Sequence, residues 1–208
     1  MKENIKKQII KNTLKLISAK GFDGFSVDEL TEAAGCSKGI VFYHYTDRNR
    51  LVLEAFREFL EYYNTLIIKF LKETMTAGEM LDLMNRILLF PEQFDDNGEA
   101  AIALGISAAD HSRLMANFYY LCMKSPEAAA IQKEIYTGYY NGIRQIIDYG
   151  AMTGEFRLQS DIRLAIYGFS AMIDGLLLYR SLTFDLPDND SLIKMINNYW
   201  NYNLGLEG

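Results

Sequence analysis

The chain has 208 residues, 50% of them hydrophobic, a net charge of −6, three prolines and two cysteines. That length supports a sizeable core in one large domain, or in a small domain fused to a larger one. The isolated Cys36 and Cys122 exclude a disulfide framework or a CxxC metal site and read as reduced core residues. Lys11, Asn12, Thr13 and Lys15 interrupt the N-terminal apolar stretch, unlike a signal peptide. The most apolar run, residues 101–109, is too short to span a bilayer, so a soluble cytoplasmic protein without a membrane partner is expected.

Apolar residues recur at three- and four-residue spacing, and no region alternates as a strand would, so the fold class is all-α. Helix 1 is predicted from Lys2 to Ala19, burying Ile10, Leu14 and Ile17 and stopping at Gly21. Ser26 and Glu29 have the spacing of a capping box, opening a second helix that buries Val27, Leu30 and Ala34 and ends at Gly35. Ser37 is placed to cap a short third helix, residues 38–45. Thr46 or Asp47 then caps a fourth, of about 25 residues and roughly 38 Å, with an apolar seam at Leu53, Phe56, Leu60, Tyr63, Ile67 and Phe70. Gly78, Pro91, the stretch 94–98, Ser125-Pro126 and residues 150–154 read as further breaks. Residues 161–182 are apolar almost all round, which predicts burial on most sides, and a final helix carries Leu192, Met195, Ile196, Tyr199 and Tyr202.

Two short helices joined by a turn containing Gly35 have helix-turn-helix spacing, and the second of them would lie in a DNA major groove. Charge distribution agrees. Residues 1–50 hold nine Lys or Arg against six acids, a balance of +3 that leaves −9 on the remainder. A basic head on an acidic body keeps phosphate attraction local. No HExxH, Walker loop, nucleophile elbow or metal-spaced cysteine cluster occurs, so neither an enzyme nor a cofactor is expected.

The run GFDGFSVDELTEAAGCSKGIVFYHYTDRNRLVLEAF resembles the DNA-binding region of the TetR family of bacterial transcriptional regulators, gapless over about residues 6–56. The resemblance implies a three-helix DNA-binding domain, residues 1–47. A long helix joins it to a helical ligand-binding and dimerisation domain, residues 48–208. It places Ser26, Ser37, Lys38, Tyr43, His44 and Arg48 where the family mainly contacts phosphate, and Lys38, Gly39 and Ile40 where it approaches base edges. Phe42 stands where many members carry tyrosine, Thr46 where lysine is common and Val27 where threonine is frequent, implying a lighter phosphate grip that leans on Arg48, with Arg50 able to compensate. Phe42 and Tyr45 read as core.

The same resemblance implies a homodimer on double-stranded DNA, a pseudo-palindromic operator and a small-molecule effector, with repression as the default. Gly168, Ala171 and Gly175 permit close helix approach, either within the chain or, with Leu178, Met195 and Tyr199, across a two-fold interface. Met84, Phe90, Phe94, Met115, Phe118, Tyr119, Met123, Tyr136 and Tyr140 can line an adaptable apolar pocket or fill an ordinary core; Asp174, with Asp110 and His111, is a polar candidate for orienting a ligand.

Overall fold

The structure, a computed structural model, describes residues 2–94 and 107–205. Among them the secondary structure is entirely helical: α1 (Lys2–Lys20), α2 (Val27–Ala34), α3 (Lys38–His44), α4 (Arg48–Phe70), α5 (Ala77–Leu89), a 3-10 turn at Pro91–Phe94, α6 (Ala108–Lys124), α7 (Pro126–Thr153), α8 (Ile162–Ser181) and α9 (Asn189–Leu204). The chain divides into two compact units. One comprises Met1–Tyr62 and Asn97–Lys133, the other Tyr63–Asp96 and Glu134–Gly208, so the division falls inside α4 and inside α7.

In the first unit α1 packs on α2 and on α6. It buries Ile9, Ile10, Leu14 and Ile17, and its one fully buried polar side chain in that stripe, Thr13, donates its hydroxyl to the Ile9 carbonyl. Ser18, also buried, donates to Asp110 of α6 at 2.6 Å. The Phe56 and Phe118 rings stack at 4.3 Å, and Phe59 and Tyr62 flank the buried His111 at 5.7 and 5.6 Å. The capping box at Ser26 and Glu29 is present in full, and Gly35 ends α2 in the left-handed conformation (φ 63°) that glycine adopts at least cost. Asp47 is the cap of α4, accepting the Arg50 amide at 2.8 Å. This 23-residue helix, about 35 Å long, buries far more than one seam: Leu51, Val52, Ala55, Phe59, Tyr62 and Leu66 are buried too.

In the second unit α5, α8 and α9 pack on one another. Phe169 meets Trp200 at 4.9 Å. A chain of side-chain amides runs through the layer: Trp200 Nε1 donates to Asn85, Asn85 to Asn197 and Asn197 to Asp82. Each of these polar groups thereby keeps a partner away from water. In the connection between α7 and α8, Arg157 and Gln159 donate backbone N–H to the carbonyls of Leu204 and Asn203, tying down the end of α9.

Several expected breaks moved. Gly78 lies in the first turn of α5, capped by Thr76, because the Glu155 carboxylate accepts the Ala77 and Gly78 amides at 2.8 and 2.7 Å. Gly150 is helical, and α7 stops at Gly154 (φ 80°). Gly150 is small because the Phe156 ring folds over it; a Cβ there would sit 2.3 Å from that ring. Pro126 opens α7, where its missing N–H costs nothing. The stretch 95–98 and most of the apolar run 101–109 lie outside the described residues. α8, rather than that run, is the one described helix long and apolar enough to cross a membrane, with mean hydropathy 1.4 over its best window. Only 33% of that window is buried, which corrects the expectation of burial on most sides.

Candidate nucleic-acid interface and ligand cavity

The helix-turn-helix is α2, the turn at Gly35–Cys36 and α3, with α2 against both α1 and α3. α3 is held by two inward residues, Val41 and its C-cap Tyr45, both buried. Everything else on it faces outward or sideways. Ser37 caps it by accepting the Ile40 amide at 3.4 Å, and Lys38 pairs with Asp28 of α2 at 2.6 Å. Both members of that pair are exposed, so it contributes little to stability and yields readily to a competing anion. Ile40, Phe42 and Tyr43 are 39%, 46% and 72% exposed. His44 is half-buried and meets the Tyr43 ring edge-on at 5.1 Å. Phe42 is therefore not core: a seven-residue helix with one inward position has no buried place for it.

Arg48 points elsewhere. Its guanidinium donates to the Phe22 carbonyl and lies over the Phe25 ring at 4.4 Å, so it fastens the α1–α2 connection to the start of α4. Ser26 Oγ and the Glu29 carboxylate cap α2 reciprocally. Glu29 is also paired with Lys20. The hydrogen bond from Lys20, then those from Ser26, hold the Glu29 carboxyl well below the usual range, at about 2. Arg50 is exposed and bridges to Glu54 one turn on at 3.1 Å.

In the second unit a cavity of about 520 Å³ lies among α4, α5 and α7. Ile67 and Ile68 of α4 line it with Leu71 just beyond that helix, Met80 and Met84 of α5, and Tyr139, Ile146 and Tyr149 of α7. Asn64, Glu73 and Gln145 supply polar groups. Gly138 and Gly142, one turn apart on α7, also line it, and a Cβ at either would meet nothing within 4 Å; Gly138 is exposed, so the cavity opens to solvent on that side. Its size and mainly apolar lining with few polar groups are those of a small-molecule site, which runs to roughly 300–1,000 Å³. A second cavity of about 700 Å³ is lined by Lys72, Glu79, Asp82, Arg86, Phe94 and Asn197 among others.

Comparison with known proteins decides the family. The model described as "Bacterial regulatory proteins, tetR family" matches residues 9–55, and that of "BetI-type transcriptional repressor, C-terminal" matches residues 93–201, just over half of the chain. The chain belongs to the TetR family.

As a TetR-family protein it is a DNA-binding transcriptional regulator and not an enzyme. Among curated relatives, the regulator BetI of Yersinia pestis is 23% identical over 97% of this chain and 93% of its own. The fatty acid metabolism regulator protein of Bacillus subtilis is 23% identical over 76% and 74%. A transcriptional regulator from Saccharomonospora viridis, crystallised in complex with choline, superposes with a TM-score of 0.78 at 19% identity over 96% of both chains. A TetR regulator from Haloarcula marismortui does so at 0.79 and 16%, over 97% and 99%. At such identities the structures share the fold.

The TetR-family chain distributes the residues expected at a ligand site over both units rather than gathering them. Met115, Phe118, Tyr119 and Met123 belong to α6 in the first unit; Met115 and Phe118 are buried and Met123 is 75% exposed. Phe90, Phe94, Tyr136, Tyr140 and Asp174 belong to the second. There Phe90 is buried under the Arg180 guanidinium at 4.9 Å, and the Tyr136 hydroxyl donates to Asp174 at 3.1 Å. None of the nine lines the 520 Å³ cavity, and Phe94 lines the larger one. Asp110 is engaged with Ser18 and in the capping box with Ser107, and His111 is buried between the Phe59 and Tyr62 rings; neither lines the 520 Å³ cavity. Met84, a further pocket candidate from the sequence, does line the 520 Å³ cavity; Met80 beside it and the pair Gly138 and Gly142 were not singled out, and the only signal of the glycines was their four-residue spacing.

At the expected dimer face Gly168 serves the chain itself. The Tyr199 hydroxyl crosses it to donate to the Ala165 carbonyl at 2.7 Å, and a Cβ on Gly168 would stand 2.4 Å from that oxygen. Gly175 has nothing within 4 Å, Ala171 is exposed, and Leu178 and Met195 are 41% and 40% exposed.

Proposed function

We propose that the chain is a cytoplasmic repressor that binds a pseudo-palindromic operator as a homodimer and is released by a small, largely apolar or aromatic effector. In this reading residues 1–47 hold the DNA and residues 48–208 bind the effector and the second copy. The observation that carries it is the α3 surface: a helix with Val41 and Tyr45 anchored inward and its remaining side chains turned to solvent. Lys38, Ser37, Ser26, Tyr43 and His44 grip phosphate, Gly39 and Ile40 approach base edges, and Arg48 acts by positioning residues 22–25.

Pairing through α8 and α9 is supported by the exposed Leu164, Tyr167, Leu178, Tyr179, Met195 and Tyr202, an apolar surface that a second copy would cover. Such a dimer presents its two α3 helices to half-sites about one helical turn, roughly 34–36 Å, apart. The effector enters the Gly138/Gly142 cavity and displaces the C-terminal half of α4, a helix that continues without interruption to the cap at Asp47. A coupling of about 1–3 kcal/mol between effector and operator suffices for induction. The relative crystallised with choline supports a small-molecule effector in kind, though not in identity.

A thermal-shift screen tests this reading. A compound that raises the melting temperature is expected to lower operator affinity, and Gly142→Phe, which fills the cavity, to abolish the shift while leaving operator binding intact. A stabilising compound that leaves operator affinity unchanged contradicts it.

A further inference from the structure

We propose that this regulator, on the DNA-binding reading above, recognises its half-site chiefly through thymine methyl groups, using Ile40 and Phe42. At about 100° per residue, Gly39 and Tyr43 lie opposite the buried Val41, and Ile40 and Phe42 occupy the two flanks of the outward face. Both flanking side chains are large, apolar and more than a third exposed, with no interior place to go. Gly39 between them adds no Cβ that would hold the helix away from the bases.

The polar inventory of α3 is thin. It contains no Arg to fork onto guanine and no Asn or Gln to fork onto adenine, the side chains that read those bases in pairs of hydrogen bonds. Its single lysine, Lys38, is at the edge and paired with Asp28. The one apolar feature that a base pair presents in the major groove is the C5 methyl of thymine. Two exposed hydrophobes beside a glycine therefore match thymines on both flanks of the helix and gain nothing from G·C pairs.

Uracil lacks the C5 methyl and otherwise presents the same edge. The full-length chain is titrated against the duplex it selects from random DNA, and against the same duplex carrying uracil for one half-site thymine at a time. At two or more positions the change is expected to weaken binding about fourfold, the worth of one buried methyl group. Ile40→Ala and Phe42→Ala are each expected to equalise the thymine and uracil duplexes at the position they serve, while Lys38→Ala weakens both alike. The uracil series needs only the unaltered chain, so it decides even if an alanine variant folds poorly. A specific duplex that tolerates uracil throughout overturns this inference and leaves the regulator reading standing; binding with no sequence preference overturns both.

Discussion

At the residue scale the cations of the head do different work, and this separates two substitutions that the sequence alone would group. Lys38 is exposed and only loosely held by Asp28. Lys38→Ala should weaken binding to all sequences alike and reduce the slope of log affinity against log salt by about 1. Arg48 is engaged with the Phe22 carbonyl and the Phe25 ring. Arg48→Ala should instead lower stability in urea titration by about 1.5–3 kcal/mol, the range for a hydrogen bond to a charged group, and leave the salt slope unchanged. An unchanged stability with a reduced slope would return Arg48 to the phosphate contacts. Asp110 gives a pH signature. Burial raises its pKa, but the hydrogen bonds from Ser18 and Ser107 outweigh that and hold the carboxyl below its ordinary value. A depressed carboxylate stabilises the fold above the unfolded-state pKa, and that contribution is lost as pH falls through the folded-state value. Stability measured from pH 7 down to pH 3 should therefore fall, and Asp110→Asn should remove part of that fall while lowering stability at pH 7.

At the element scale, the helices nearest the N-terminus were legible because their signals are local. Ser26 with Glu29, Gly35 and Ser37 fix α2 and α3 through bonds no longer than four residues. Gly78 and Gly150 misled for the opposite reason. Gly78 sits in a helix whose first amides are accepted by Glu155, across 78 and 77 residues of sequence, and Gly150 is a glycine because the Phe156 ring covers it, which packing and not a turn requires. Phe42 misled because apolar character was taken as burial, whereas a seven-residue helix can bury only one side. The glycines of α8 likewise look equivalent in sequence and are not. Gly168→Ala should displace the Tyr199 hydroxyl and lower the stability of the protomer by about 1 kcal/mol, the net worth of one hydrogen bond. Gly175→Ala meets open space within the chain and should raise helix stability by up to about 1 kcal/mol. If α8 pairs with its mate there, the same change weakens the dimer in sedimentation equilibrium. An unaffected dimer places the interface elsewhere.

At the scale of the whole molecule, the all-helical class followed from periodicity and the family from one contiguous run near the N-terminus. The candidate ligand cavity followed from neither. Composition pointed to aromatic residues and methionines, of which Met84 lines the 520 Å³ cavity; the rest of its lining depends on which faces of α4, α5 and α7 meet, which no local pattern records. α4 carries residues of both compact units, and within the first unit α6 meets α1 through Ser18 and Asp110. On the proposed function, the chain reads a specific DNA sequence as a two-fold dimer. Selection of bound duplexes from random DNA at a stated salt concentration tests it most directly. A two-fold reader selects a pseudo-palindrome whose half-sites lie about one helical turn apart. Binding that falls steeply with salt but enriches no sequence would contradict it.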